Sequence, residues 1–243
     1  MTNRIYRPTV LTLIGLATTI AMIAGTVGFI VGRVPMLREF VPVHFNSEDM
    51  PDRWLPASYA LVLLPVWIQL TLALVFAAIG GLLLYRTQPL NLRRVTEDEA
   101  ARQDRERMLI TAEAVILLSS IWVTFQGIAA IRILVLWQRG WGGLGSVYGQ
   151  SLVVAIVLSI VVGIRAGVYL RHPKPAQRLT EDSHWHFSGV YFNREDPALF
   201  VPLRSGIGWT MNFARPRAIV FLIFLVIFGF GAPLLILRFL LLE

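Results

Sequence analysis

Five stretches of the chain are almost entirely apolar, and the polar and charged residues gather between them. We place these stretches at residues 9–32, 56–85, 108–137, 147–170 and 218–242. An α-helix of about 20 residues crosses a bilayer, and each stretch is that long or longer. The first is longer than the core of a signal peptide, so we expect it to be retained. The pattern predicts an all-α integral membrane protein with five transmembrane helices.

The distribution of basic residues predicts the orientation of these helices. Lys and Arg are concentrated at the N-terminus and in the segments 86–107 and 171–217, whereas 33–55 and 138–146 hold few of them. Cytoplasmic loops of multi-pass proteins carry the excess of positive charge. We therefore expect a cytoplasmic N-terminus and an external C-terminus. We divide the chain accordingly. Residues 1–85 contain the first two helices with the outward loop 33–55, 86–107 form a charged cytoplasmic segment, and 108–170 contain helices three and four. Residues 171–217 form a cytoplasmic module, and 218–243 contain helix five.

Composition agrees with a membrane protein and narrows the chemistry. Charged residues make up 15% of the chain, where soluble domains carry about 25%. The absence of cysteine excludes disulfides, thiolate catalysis and Cys-based metal sites. The net charge is +7, but the sequence contains no motif that would read the grooves of DNA or RNA. We therefore expect no nucleic-acid partner.

The segment 86–107 is predicted to contain a charged cytoplasmic helix. Thr96 and Glu99 have the spacing of a capping box, and Asp98 and Arg102 are spaced to pair on one helix face. We expect this helix to run into the third transmembrane helix. It is either a solvated extension of that helix or a regulatory docking site.

Two ionisable residues fall inside the apolar stretches at a similar depth from the cytoplasmic side. They are Glu113 in the third stretch and Arg165 in the fourth. Charges at such depth are costly and often functional. We predict that the two pair between neighbouring helices; the alternatives are separate snorkelling and a proton or ion relay. Gln69 and Gln126 fall near the middle of the bilayer, where we expect hydrogen bonds between helices.

The outward loop contains the first motif. Its prolines exclude a long helix, and we predict an extended stretch at 41–46 followed by a turn at 46–51. The motif consists of Pro42, His44, Phe45, Asn46, Pro51, Asp52, Arg53 and Trp54, with Leu64-Pro65 in the next helix. In this spacing the loop resembles bacterial membrane proteins related to the immunity protein against the sporulation-delaying toxin.

That resemblance implies a bacterial cytoplasmic-membrane protein whose loop faces outward, associated in some members with toxin immunity and signalling. Asp49 stands where the family usually has Gly, and Asp tolerates the left-handed turn conformation better than most residues. The alternative to recognition is that His44, Asp52 and Arg53 only hold the turn. The candidates for recognising a ligand or partner are His44, Asn46, Asp52, Arg53 and Trp54.

Residues 185–213 predict strands rather than another helix. The stretch 185–193 alternates with a period of two, and 200–204 and 207–213 are further strand candidates. Asp196-Pro197 and Ser205-Gly206 are turn signals. We predict a small three-stranded cytoplasmic β unit between helices four and five. Its aromatic face packs on itself or lies at the membrane interface.

This stretch also resembles a small uncharacterised domain found in the same kind of bacterial membrane protein. The resemblance implies no activity. It rests on Trp185, Gly189, Tyr191, Asn193, Asp196, Pro197, Val201, Pro202, Gly206, Gly208, Trp209, Thr210, Asn212 and Phe213. Further recognition candidates are Trp185, Asn193, Asp196, Trp209 and Asn212. Turn and cap roles are the alternative for Asn193, Asp196 and Asn212.

No convergent nucleophile, base or metal cluster is visible, so we expect neither an enzyme nor a cofactor or metal. The leading hypothesis is a membrane protein of the toxin-immunity type that binds a partner through the outward loop and the cytoplasmic module. Expected partners are the lipid bilayer and other proteins, namely membrane subunits, a cytoplasmic regulator or an extracellular peptide. One alternative is an accessory or scaffold subunit that uses small-residue faces such as Gly163 and Gly167. Another is a small transporter.

Overall fold

A computed structural model describes residues 4–5, 8–48, 50–86, 97–140, 143–171, 182–187, 189–203, 209–227 and 238. The protein is mostly helical, and four of its helices are long and apolar enough to cross a membrane. These are α1 (Val10–Arg33), α2 (Tyr59–Leu84), α3 (Glu97–Arg139) and α4 (Gly145–Arg171). Each of the first four predicted spans therefore corresponds to a helix that is long and apolar enough to cross a membrane.

The fifth predicted span begins in a shorter apolar helix, α5 (Pro216–Val226). Most of residues 228–243 lie outside the described part of the chain. The fifth transmembrane helix therefore stays a prediction.

Short strands form two-stranded antiparallel sheets near the ends of the helices. They are β1 (Arg4–Ile5) with β4 (Tyr85–Arg86), β2 (Phe40–Phe45) with β3 (Pro51–Pro56), β5 (Trp185–His186) with β6 (Val190–Tyr191), and β7 (Phe200–Pro202) with β8 (Trp209–Met211). The β2–β3 pair is the hairpin between α1 and α2. We call this end of the bundle the hairpin end. The opposite end, where α2 ends and α3 begins, is the module end.

The longest helix, α3, lies at the centre of the bundle. It packs against α1, α2 and α4, whereas α1 and α2 touch each other much less. It runs without a break from the charged segment at 97–107 into the apolar one. Thr96 of the predicted capping box and the side chains of Asp98 and Arg102 lie outside the described residues.

Two glycines let neighbouring helices approach α3 closely. A Cβ atom on Gly15 of α1 would lie 3.1 Å from Ile116 Cγ2, and one on Gly80 of α2 would lie 3.0 Å from Ile116 Cδ1. Ile116 of α3 therefore fills the space that both glycines leave open. In lipid, where apolar surface alone does not drive helices together, such close approach supplies the packing contacts that hold them.

The predicted single strand over residues 185–193 is wrong. The chain reverses at Phe187, which has a φ of +47°, and the Gly189 N–H donates to the Phe187 carbonyl oxygen at 2.8 Å. Two short hairpins result in place of a three-stranded unit, and a parallel bridge between Tyr191 and Asn212 joins them. We call residues 182–213 the module. The predicted turn at Ser205-Gly206 lies outside the described residues.

Apolar side chains connect the module to the bundle. Phe200 of β7 belongs to one buried cluster with Leu83 of α2, Met108 of α3 and Phe221 of α5. The rings of Phe200 and Phe221 meet edge to face with their centroids 6.0 Å apart. The module therefore lies at the ends of the transmembrane helices, on the side opposite to the β2–β3 hairpin.

Replacing Gly15 by Val should push α1 away from Ile116 and destabilise the protein by about 1–3 kcal/mol, the usual cost of overpacking. The matched control is Gly25→Val on the same helix, since nothing lies within 4 Å of a Cβ atom there. Thermal unfolding of the purified protein in a mild detergent measures both variants. Equal stability of the two would contradict the close packing at Gly15.

Candidate functional site

One side of the β2–β3 hairpin is fixed to the bundle. Val41 is fully buried and belongs to a cluster with Ile30, Val62 and Trp137. The indole Nε1–H of Trp137 donates to the Pro42 carbonyl oxygen at 2.8 Å. The base of the hairpin is therefore held on the end of α3 by apolar packing and by a buried hydrogen bond.

Four of the five recognition residues predicted in the loop lie on the exposed part of the hairpin. His44 Nδ1 and Asp52 Oδ1 are 2.6 Å apart across the two strands, although both side chains are largely exposed. Arg53 pairs with His44 in the strand register and is exposed, and Trp54 is 42% exposed. We call His44, Asp52, Arg53 and Trp54 the hairpin patch.

Asn46, the fifth candidate in the loop, shapes the hairpin turn. Its Oδ1 accepts the N–H groups of Glu48 and Met50 at 3.0 and 2.9 Å, and its own N–H donates to the Met50 carbonyl at 2.9 Å. An Asn side chain bonded to the backbone of its own turn restricts that turn. Asp49, where the motif departs from the family pattern, lies outside the described residues.

A cleft of about 250 Å³ lies at the base of the hairpin, beside the start of α2. Leu37 and Val62 supply apolar surface to it, and Arg38 and Glu39 supply one charge of each sign. Sequence reasoning missed this cleft. Its walls come from residues 34–39, which follow α1, and from residues 57–62 at the start of α2, and no local motif connects these two segments.

The structure brings Glu113 and Arg165 together and adds a third residue. The Glu113 side chain is 5% exposed and forms an ion pair with the half-exposed Arg165 guanidinium of α4. The Thr9 hydroxyl donates to the other carboxylate oxygen of Glu113. The Thr9 hydroxyl oxygen also accepts the Thr12 N–H at 3.1 Å and so caps α1.

One carboxylate therefore ties α3 to both α1 and α4. Thr9 is recognisable in the sequence as a helix N-cap, but nothing there indicates that it bonds to a residue more than one hundred positions away. A buried ion pair with additional hydrogen bonds is costly to break because the remaining charge stays buried.

Gln69 joins three helices near the middle of the bundle. Its Nε2 donates to Thr26 Oγ1 of α1 at 3.1 Å and to the Val123 carbonyl of α3 at 3.0 Å. A Cβ atom on Gly127 would lie 3.0 Å from that nitrogen, so the approach depends on a glycine. The expected hydrogen bonds of Gln69 between helices are confirmed, and those of Gln126 stay a prediction.

The recognition candidates of the module are mostly buried in its polar core. Asp196 and Asn212 are fully buried, and Asn193 is nearly so. The Tyr191 hydroxyl donates to Asp196 Oδ2 at 3.1 Å, and the Ala198 N–H donates to Asp196 Oδ1 at 2.9 Å. The carboxylate of Asp196 is thus used within the module.

Asn212 connects the two halves of that core. Its Nδ2 donates to the carbonyl oxygens of Asn193 and Asp196 at 2.8 and 2.9 Å, and its Oδ1 accepts the Asn193 N–H at 3.0 Å. Arg215 Nε donates to the same Asp196 carbonyl at 2.8 Å. These contacts give Asn193, Asp196 and Asn212 turn and cross-linking roles, and their contact with a partner stays a prediction.

The two tryptophans of the module differ in what the structure describes. Trp185 is buried with its ring centroid 5.1 Å from that of Tyr191. The backbone of Trp209 lies in β8, but its side chain is outside the described residues.

Among the residues that the structure describes, no three His, Cys, Asp or Glu side chains are grouped so that they could hold a metal ion.

Comparison with known proteins gives one short similarity within the module and α5. A family model described as "Family of unknown function (DUF5808)" matches residues 194–219. No curated protein and no solved structure matches the chain. The short match and the four apolar helices fit a multi-pass membrane protein. The resemblance to the toxin-immunity proteins stays a prediction.

Changing Glu113 to Gln should destabilise the protein by about 1.5–3 kcal/mol, the range for hydrogen bonds to charged groups. Arg165→Gln should reduce the free energy of unfolding by less, because the Arg165 side chain is partly exposed and its charge is partly screened by solvent. Since the two residues are in contact, the double variant should lose less than the sum of the two single losses.

Unfolding of the three variants in detergent measures this coupling. Glu106→Gln is the control, since Glu106 is exposed on the same helix. If the loss of stability in the double variant equals the sum of the losses in the two single variants, Glu113 and Arg165 do not stabilise each other.

Proposed function

We propose that this chain is a non-enzymatic multi-pass protein of the bacterial cytoplasmic membrane, of the toxin-immunity type, that binds an extracellular peptide or protein through the hairpin patch. One observation carries the proposal. The hairpin is anchored through Val41, Pro42 and Trp137, while the patch takes no part in that anchoring. A rigidly held, exposed group of polar and aromatic side chains is suited to recognition.

The distribution of Lys and Arg supports an external hairpin end and a cytoplasmic module end. In this orientation the N-terminus is cytoplasmic. A fifth transmembrane helix would then bring the C-terminus outside.

The chemistry of the patch suggests what it binds. Arg53 offers the forked donors that suit a carboxylate, and Trp54 offers a flat apolar surface. Trp and Arg are also the residue types that most often dominate binding energy at protein interfaces. We therefore infer a peptide partner with at least one carboxylate and at least one apolar side chain.

The central helix supports a connection between the two ends. Trp137 of α3 contacts the hairpin, and Met108 of the same helix lies in the cluster that receives Phe200 of the module. A partner bound outside and a regulator bound inside would therefore act on opposite ends of one continuous helix. We propose that this helix couples the hairpin patch to the cytoplasmic module.

A photo-crosslinking amino acid in place of Trp54 should form a discrete peptide or protein adduct in the native membrane. The matched control is the same replacement at Trp67 of α2, which is 52% exposed compared with 42% for Trp54. Arg53→Ala should abolish the adduct at position 54 while the thermal stability of the protein stays unchanged. The same adducts at both positions, or an adduct that survives Arg53→Ala, would contradict recognition by the patch.

A second function, an accessory or scaffold subunit of a larger membrane complex, is favoured by the surface of α4. Only 6% of the apolar window of this helix is buried within the bundle. A Cβ atom on Gly163 or Gly167 would meet no described residue within 4 Å, whereas Gly127 of α3 is closed in by Gln69 and Thr26. The Gly163–Gly167 pair is therefore free to pack closely against a helix of another chain.

Gly163→Leu should reduce the size of the complex that is extracted from the membrane, because the bulky side chain prevents close helix approach. Gly28→Leu on α1 is the control, since that position is equally open within the chain. Native gel electrophoresis after mild detergent extraction measures the size of the complex. An unchanged complex in both variants would rule out this face of α4 as an interface.

A further inference from the structure

The hairpin formed by β5 and β6 has apolar residues on both of its faces. Trp185 and Tyr191 are opposite each other in the register and form the buried inner face. His186 and Val190 form the next pair, and both are exposed. Phe192 is also exposed, and its ring lies against that of His186 with the centroids 6.4 Å apart. A hairpin whose outer face met only water would carry polar residues there.

Phe187, at the tip of this hairpin, is the most exposed large apolar residue among those described. It is 97% exposed, so the fold buries almost none of its ring. Its backbone also has a φ of +47°, a conformation that bulky residues rarely adopt. Such strain persists where the surroundings determine it and is frequent at functional positions. Among the residues that the structure describes, none covers this ring, so we look for its contact outside the described part of the chain.

The position of the module indicates what that contact is. Phe200 seats the module against Leu83 and Met108 at the ends of two transmembrane helices. The module is also joined in sequence to α4 on one side and to α5 on the other. The membrane interface, where headgroups meet the apolar acyl chains, is therefore the membrane region nearest to the hairpin.

The residues of the hairpin fit that layer. Aromatic side chains are favoured at the membrane interface, and exposed Arg194 follows Phe192 closely, where it can meet anionic headgroups. Exposed apolar side chains that are grouped together on a soluble surface mark an interaction site.

We propose that the β5–β6 hairpin inserts into the headgroup region of the membrane leaflet at the module end, with Phe187 at its leading edge and Val190 and Phe192 behind it. The module is then held at two points, by Phe200 on the helix bundle and by Phe187 in the lipid. The buried polar core around Asp196 and Asn212 lies in the same small unit and keeps the two hairpins in register. This anchoring does not depend on what the hairpin patch binds.

The absence of cysteine permits a direct test with single spin labels. His186→Cys in the full-length protein places a label on the outer face while Phe187 and Phe192 are kept. Glu195→Cys, exposed in the same module, is the reference position. Both proteins are reconstituted into vesicles of phosphatidylcholine with phosphatidylglycerol. The collision rate of the spin label with molecular oxygen is high where the label lies in lipid. Its collision rate with a water-soluble nickel chelate is high where the label lies in water.

The ratio of oxygen to nickel collisions should be severalfold higher at position 186 than at position 195. Adding Phe187→Asn should lower the ratio at 186 to that of the reference. Asn adopts the left-handed conformation readily, so the turn is retained, and circular dichroism checks the fold. Equal ratios at 186 and 195 in the parent protein would overturn the proposal, because the hairpin would then face water. Exclusion of both reagents at 186 would overturn it as well, since a protein surface would then cover the hairpin.

Discussion

The interior of a bilayer offers polar groups no water, so a polar side chain buried among membrane-spanning helices needs a hydrogen-bond partner within the protein. The clearest instance is Glu113, whose carboxylate binds Arg165 of α4 and Thr9 at the start of α1. Gln69 of α2 meets the same requirement for its Nε2, which donates to Thr26 and to the backbone of α3. These contacts hold the three surrounding helices on α3 in one arrangement.

The central position of α3 follows from this requirement together with close packing. Ile116 fits between Gly15 and Gly80, and Gly127 makes room for Gln69. Hydrogen bonds and small-residue contacts thus alternate along one helix, the combination that holds helices together in lipid. Because α3 is continuous, the β2–β3 hairpin and the module are both attached to the same element, at its two ends.

The two ends of the molecule use similar residue types in opposite ways. At the hairpin end, His44, Asp52 and Arg53 remain exposed while the backbone beneath them is anchored. At the module end, Asn193, Asp196 and Asn212 are buried and bond to one another's backbones, so their polarity is used for folding. Among the described residues of the module, the exposed ones include two aromatic side chains, Phe187 and Phe192, which agrees with the proposed contact with a membrane. Candidate recognition residues therefore point to the hairpin end, and candidate anchoring residues point to the module end.

The sequence by itself determined the membrane character, four of the spans, the extended loop with its turn, and the presence of short strands before α5. These follow from apolar length, proline positions and alternation, which act over a few neighbouring residues. The tertiary structure decided which polar residues meet and which stay exposed. Thr9 reaches Glu113 only because α1 packs on α3, and the cleft beside Arg38 forms only where residues 34–39 meet residues 57–62. The predicted strand across Phe187 failed because pairing of Trp185 with Tyr191 buries two aromatic rings, and a single extended strand could not bring those rings together.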